Sequence, residues 1–299
     1  MPVSSDPPIV LLAGPTASGK SALALDWAEA SGGIVLNADS MQLYADVPIL
    51  TARPSADDEA RAPHVLYGHL VPDATWSAGE WLRAAKPWLD RALAGGQPVC
   101  VTGGTGLYFS SLVHGLAEIP DIGEAARIHA RGDFDRLGEA AFRKNLEDVD
   151  PRAATRIAAN DRQRLCRAWE VWLETGRSLS DWQDDTTPIL AEGSYRLDIL
   201  TPDRAWLYER CDRRFDLMME GGALDEVRDL MARGLMPGWP VMRVLGLAEC
   251  VAHIEGRMAL ADAVAMAQQK TRNYAKRQMT WFRNQFAGHR GLARKPGSS

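Results

Sequence analysis

The segment with the most chemistry in it is Gly14-Pro15-Thr16-Ala17-Ser18-Gly19-Lys20-Ser21, a run of the form GxxxxGK[ST]. Glycines let such a loop wrap an anion so that consecutive N–H groups point inward; Lys20 adds a mobile positive charge, and the Ser21 hydroxyl suits Mg2+. An apolar run, Ile9 to Ala13, precedes the loop and a helical pattern to about Ala30 follows it, so the dipole of that helix also favours a bound phosphate. The loop alone does not say which phosphate compound it holds.

Other reactive residues stand at the ends of apolar runs. Ile34 to Ala38 ends in Asp39-Ser40-Met41-Gln42, and Val99 to Thr102 ends in Gly103-Gly104-Thr105-Gly106. A P-loop ATPase or GTPase carries a metal-holding acid at the end of a second apolar strand. Val99-Cys100-Val101-Thr102 has none, which leaves Asp39 free to act as a base, to join a metal's shell or to cap the next helix. Thr105 can aim a hydroxyl at a phosphate or a developing charge, or simply shape a tight turn. Arg214 stands beside the apolar stripe Leu207, Cys211, Phe215 and Met218 and pairs at four residues with Arg210; it either reaches a phosphate or belongs to a solvated stripe. Gln163-Arg164-Leu165-Cys166-Arg167 follows Asn160-Asp161-Arg162 and sets Arg164 and Arg167 three apart on one helical face. Such arginines close a lid over a nucleotide in a kinase or grip backbone and splayed bases in an RNA-binding insertion.

The elements that must position these residues read as strand, helix, strand over Ile9 to Ala38, a βαβ unit and hence a parallel sheet with right-handed crossovers. Ligands in open α/β sheets sit beyond the carboxyl ends of the strands, where the three loops at 14–21, 39–42 and 103–106 converge. From 120 to 192 the pattern turns to polar, Arg- and Ala-rich helices. A strand returns at Tyr195 to Leu200, and helices follow, the longest over Ala263 to Phe286, with a frayed tail expected from Gly288 to Ser299. The expected architecture is α/β: a P-loop core of 1–119 with 193–299, interrupted by a helical insertion over 120–192.

Composition narrows the class. The chain has 299 residues, 46% hydrophobic and 24% charged, enough for a large core. No apolar run approaches the roughly 20 residues that span a bilayer, and Met1 to Pro8 lacks a signal-peptide pattern, so a cytoplasmic location is expected; a monomer is expected separately. The four cysteines, Cys100, Cys166, Cys211 and Cys250, are far apart, without metal-ligand spacing. Net charge is −5, yet no acid follows Asp262, while Lys270, Arg272, Lys276, Arg277, Arg283, Arg290, Arg294 and Lys295 do. That basic tail is either a phosphate-backbone footprint or a solvated helix face. Trp281 within it offers a ring on which a base can stack.

Taken in order, the P-loop at 14–21, Asp39-Ser40-Met41-Gln42 with Tyr44, Ala62-Pro63-His64, Gly103-Gly104-Thr105 with Leu107-Tyr108-Phe109, Asn160-Asp161 with Gln163-Arg164-Leu165 and Arg167-Ala168, Arg214-Phe215, and Lys276-Arg277-Gln278 with Thr280-Trp281-Phe282-Arg283 resemble the tRNA dimethylallyltransferases over about Ile9 to Arg283. The resemblance implies transfer of a dimethylallyl group from dimethylallyl diphosphate to N6 of adenosine 37, just 3′ of the tRNA anticodon. It implies Asp39 as general base, Thr105 against the substrate and bridging oxygen, and Lys20, Arg214 and a Mg2+ ion on Ser21 around the departing diphosphate. It further implies that Gln42 and Gln163 to Arg167 receive the flipped base and its neighbours, and that Arg127 and the insertion clasp the anticodon stem-loop. Three positions depart from the family pattern: in Leu50-Thr51-Ala52-Arg53-Pro54, Leu50 replaces a glycine and Arg53 a lysine, and Leu247 replaces a common tyrosine. The rival reading is a P-loop kinase of a small metabolite, with Arg162, Arg164 and Arg167 as its lid.

Overall fold

The structure is a computed structural model that describes residues 7–289 and 291–292. Its strands are β1 (Ile9–Ala13), β2 (Ile34–Asn37), β3 (His64–Val65), β4 (Val99–Gly103), β5 (Tyr195–Leu200) and β6 (Gly291–Leu292), in the sheet order β3-β2-β4-β1-β5-β6. Every pairing is parallel. The continuous apolar runs of β1, β2 and β4 are what a sheet covered on both faces needs, and all three strands are buried throughout. β6 corrects the expectation of a frayed tail: Gly291 and Leu292 extend the sheet beside Ile199 and Leu200. Arg290, Arg294 and Lys295 lie outside the described residues.

The order decides where the reactive loops fall. β1 leads through the helix Lys20–Ser31 to β2, but β4 inserts between them, pairing Ala13 with Gly103 on one side and Asn37 with Thr102 on the other. Three neighbouring strands thus release the phosphate loop, the Gly103 turn and the Asp39 loop side by side, at a topological switch point. The helix Lys20–Ser31 seals one face with Ala24, Leu25 and Ala28 against Val10, Leu12, Val35 and Cys100. The helix Ala78–Leu93, absent from the expected elements, starts at Ser77 with a capping box closed by Glu80. It buries Trp81, Ala85, Leu89 and Ala92 at three- and four-residue spacing.

The chain divides into two compact units, 1–111 with 190–299, and 112–189, where the sequence suggests 120–192. Residues 112–119 and 190–192 lack a polar helical pattern, so composition does not mark this boundary. The Ile189 N–H donates to the Leu112 carbonyl at 3.1 Å, joining the two ends of the insertion. Its helices Glu124–Val149, Pro151–Arg156, Arg162–Thr175 and Leu179–Asp184 pack a separate core of Phe142, Leu146, Ala153, Ile157 and Leu165. Buried Asp150 ties two of them, accepting the N–H groups of Ala153 at 2.9 Å and Ser180 at 3.0 Å. No helix among the described residues is long and apolar enough to cross a membrane.

Candidate active site

In the phosphate loop, Ala17 (φ 62°) and Gly19 (φ 85°) are both left-handed, which turns the chain into the helix that begins at Lys20. Lys20 is only 8% exposed, and its Nζ donates to the Pro15 carbonyl at 3.2 Å. Burial lowers its pKa from 10.5 to about 8; the charge of Asp39 opposes that shift and Arg214 adds to it. An ammonium in this position is short of counter-charge, as a site awaiting an anion should be. Two arginines of the helix Arg204–Glu220 reach the same loop: Arg214 Nη2 donates to the Thr16 hydroxyl, and Arg210 Nε donates to the Ala17 carbonyl at 2.8 Å. Burial pushes the Arg214 guanidinium below its usual pKa.

Asp39 is held by a residue that sequence reasoning passed over. Asn37, fully buried at the end of β2, accepts the Asp39 N–H at 2.8 Å and donates to the carbonyls of Asp39 at 3.0 Å and Leu66 at 2.9 Å. Its signal is a polar amide closing an apolar strand just before an acid. Asp39 Oδ1 accepts the Met41 N–H at 3.0 Å, so the local capping role is real but occupies one oxygen; Oδ2 has no partner among the described residues. The Thr105 hydroxyl accepts the Ser40 N–H at 2.9 Å and sits 3.2 Å from Ser40 Oγ, while its own N–H donates to the Ala38 carbonyl at 3.1 Å. These loops touch because residue 103 is glycine: a Cβ there would stand 2.1 Å from the Ala38 carbonyl.

A second residue without an assigned role joins the parts. Gln278, buried within the otherwise basic helix Leu260–Gln285, accepts the Thr16 N–H at 2.8 Å and donates to the Gly104 carbonyl at 2.9 Å. One side chain thus ties the phosphate loop to the Thr105 turn. The signal for it is faint: Gln278 stands at helical spacing with buried Ala267, Thr271, Ala275 and Phe282, where an apolar residue would be expected.

Two cavities flank this junction and share Tyr274. The smaller, about 40 Å3, has Thr16, Asp39 and Arg214 in its wall, with Met41, Leu50, Phe215, Met218 and Leu245 as apolar lining. The larger, about 200 Å3, is lined by Ser40, Thr105, Tyr274, Arg277, Gln278 and Trp281. Burial and the Asp39 charge raise the Tyr274 pKa, so its phenol stays protonated as a donor.

The oxygen donors present suit a Mg2+ ion. The Ser21 hydroxyl, at the start of the helix Lys20–Ser31, is exposed and is a hard ligand of the kind that ion takes. No group of three or more His, Cys, Asp or Glu is placed to hold a metal ion among the described residues, so an ion here would complete its shell from diphosphate oxygens and water.

The remaining expected residues lie outside this junction. Gln42 Nε2 donates to the carbonyls of Thr51 at 3.0 Å and Ala52 at 2.7 Å, so its amide is engaged in holding the 48–52 turn. In the 112–189 unit, Arg127, Gln163 and Arg164 are exposed and Arg167 is partly so. Arg127 pairs with Glu124, Arg164 with Asp161 and Arg167 with Glu170, at 3.6, 3.1 and 3.6 Å. Leu165 and Cys166 turn into that unit's core, so their side chains hold the helix that presents Gln163, Arg164 and Arg167. Leu247 is fully buried and offers no ring or face to a base. On the basic helix, Lys270 pairs with Glu249 and Arg272 with Asp212, whereas Lys276, Arg277 and Arg283 have no acidic partner among the described residues.

Comparison with known proteins agrees with this geometry. The IPP transferase family model matches residues 42–285. A tRNA dimethylallyltransferase of Phenylobacterium zucineum is 53% identical over 98% of this chain and 99% of its own length, and one of a Caulobacter species is 52% identical over 94% and 91%. Among solved structures, the full-length tRNA isopentenylpyrophosphate transferase of Bacillus halodurans is 30% identical with a TM-score of 0.67, covering 95% of this chain and 89% of that one. A eukaryotic dimethylallyltransferase, described as acting on tRNA, is 26% identical with a TM-score of 0.78, covering 95% and 73%. With a family model spanning most of its length and relatives at half identity end to end, the chain belongs to the IPP transferase family.

Proposed function

We propose that this chain transfers the dimethylallyl group of dimethylallyl diphosphate to N6 of adenosine 37 in tRNA, releasing diphosphate. The observation that carries this reading is the junction at Gln278, which brings an anion-holding loop, a carboxylate with a free oxygen and two cavities to one place. The smaller cavity suits a short apolar tail whose diphosphate lies in the loop. The larger, with Trp281 and Tyr274 in its wall, suits an unstacked purine.

In the reaction, the adenine N6 lone pair forms a bond to C1 of the dimethylallyl group as the bond from C1 to the diphosphate oxygen breaks. The N6 proton passes to Asp39 Oδ2. Negative charge grows on the departing oxygen, so the loop N–H groups, Lys20 and Arg214 stabilise the transition state more than the ground state. Thr105 and the Tyr274 phenol face the reacting region as hydroxyl donors. A Mg2+ ion held by Ser21 would add charge neutralisation on the diphosphate. Exposed Arg127, Gln163, Arg164 and Arg167 of the insertion, with Lys276, Arg277 and Arg283 of the basic helix, are the proposed contacts to the anticodon stem-loop.

The kinase reading needs a metal-holding acid on β4, which is absent. The one acid within β5, Asp198, is bound to Arg196 Nε at 2.9 Å. The test is incubation of the purified chain with Mg2+, dimethylallyl diphosphate and unmodified tRNA, which should yield prenylated adenosine. Asp39→Asn should lower turnover roughly 100- to 10,000-fold while tRNA still binds. ADP release from ATP with a small acceptor, and no prenylated product, would favour the kinase instead.

A further inference from the structure

We propose that Leu50, clamped in position by Glu226 and Gln42, sets the length of prenyl chain that the enzyme accepts. This rests on the placement of the donor's tail in the smaller cavity.

Leu50 lies in the short helical turn Pro48–Thr51, is 4% exposed, and shares the cavity wall with Thr16 and Arg214. Side chains from outside the turn grip both of its ends. The Ile49 and Leu50 N–H groups donate to the two carboxylate oxygens of Glu226, at 2.6 and 3.0 Å, across 177 and 176 residues of sequence. Gln42 holds the carbonyls of Thr51 and Ala52. A four-residue turn has little stability of its own, since nucleation is unfavourable, so these contacts are what keep Leu50 at the wall. The chain passes close to the tip of its side chain at Gly246 (φ 88°), where an added Cβ would meet Phe215 at 2.4 Å and Leu50 Cδ2 at 3.5 Å. Leu50 is thus packed against the Gly246 segment while it lines the cavity.

The available space gives the consequence. At roughly 10–15 Å3 per water-sized position, a cavity of about 40 Å3 offers about three or four positions. That is room for part of a five-carbon tail, and each further carbon of a longer donor has to be accommodated at the apolar wall that Leu50 helps to form. Removing the Leu50 side chain opens room in that wall for about as many heavy atoms as it takes away.

The experiment compares kcat/KM for dimethylallyl diphosphate and geranyl diphosphate, with unmodified tRNA as acceptor, in the wild type, Leu50→Ala, Leu50→Gly and Glu226→Gln. The wild type should strongly prefer the five-carbon donor. Both Leu50 variants should raise relative use of the ten-carbon donor by about tenfold or more, the scale at which apolar pockets discriminate by size. Glu226→Gln keeps an acceptor for one N–H group but not two, and should relax the preference in the same direction. KM for tRNA should stay the same in all of them. An unchanged donor preference in Leu50→Ala protein that still binds inorganic diphosphate like the wild type would overturn the role of Leu50. So would an effect confined to KM for tRNA, since Leu50 would then face the acceptor. A wild type that transfers no five-carbon group would instead overturn the functional reading beneath it.

Discussion

Lys20 makes diphosphate binding depend on pH in a direction the structure dictates. Burial holds its pKa near 8 in the ligand-free chain, against 10.5 in water, a gap worth about 3 kcal/mol. A bound diphosphate supplies the missing counter-charge and favours the ammonium, returning the pKa to its ordinary value or above. Binding therefore takes up a proton wherever free Lys20 is neutral. With a free-state pKa of about 8, the protonated fraction falls about 25-fold between pH 7.5 and 9.5, and affinity should fall by about 20-fold over that window. At pH 9, titration calorimetry in buffers of different ionisation enthalpy should show uptake of about 0.9 proton per diphosphate. The same depressed pKa has a linked effect on stability: the unfolded chain binds the extra proton between about pH 8 and 10.5, so the penalty is full below 8 and is relieved as pH rises through that range. Lys20→Met removes the titrating group and should abolish the pH slope of binding; it also serves as control for ionisation of the ligand. Affinity that stays flat to pH 9.5 in the wild type, without proton uptake, or a slope that survives in Lys20→Met, would refute the reasoning.

Two positioning residues should show their worth in separate measurements. Gln278→Leu leaves the buried Thr16 N–H and Gly104 carbonyl unmet, which should lower stability by about 2–5 kcal/mol in urea titration and cut kcat by about 100-fold as the phosphate loop drifts from Thr105. A variant with wild-type kcat would mean the loop holds its place unaided. Asn37→Leu is near in shape but strips three hydrogen bonds around Asp39; a loss of about 2–4 kcal/mol and a fall in kcat larger than any change in KM are expected, and equal effects on both would argue for a general loosening.

The sequence alone determined the parts whose geometry is local. A glycine-rich loop between an apolar strand and a helix has few ways to fold, so residues 14–21 could be placed at a strand-to-helix turn, and Asp39 and Thr105 at strand ends, with the role of each left open. The basic bias after Asp262 and the change of pattern in the insertion were equally plain. Tertiary structure decided which parts meet. That β4 lies between β1 and β2 comes from long-range pairing, which no short window of residues contains. Gln278 reaches a loop 262 residues away, and Glu226 grips a turn 177 residues away; each appears in the chain as an ordinary polar residue on a helix. The insertion's edges at 112 and 189 escaped for a similar reason: the joining bond is between backbone groups, which carry no side-chain signature. β3 and β6, two residues each, are too short for a period to show and exist as strands only because β2 and β5 offer edges to pair with.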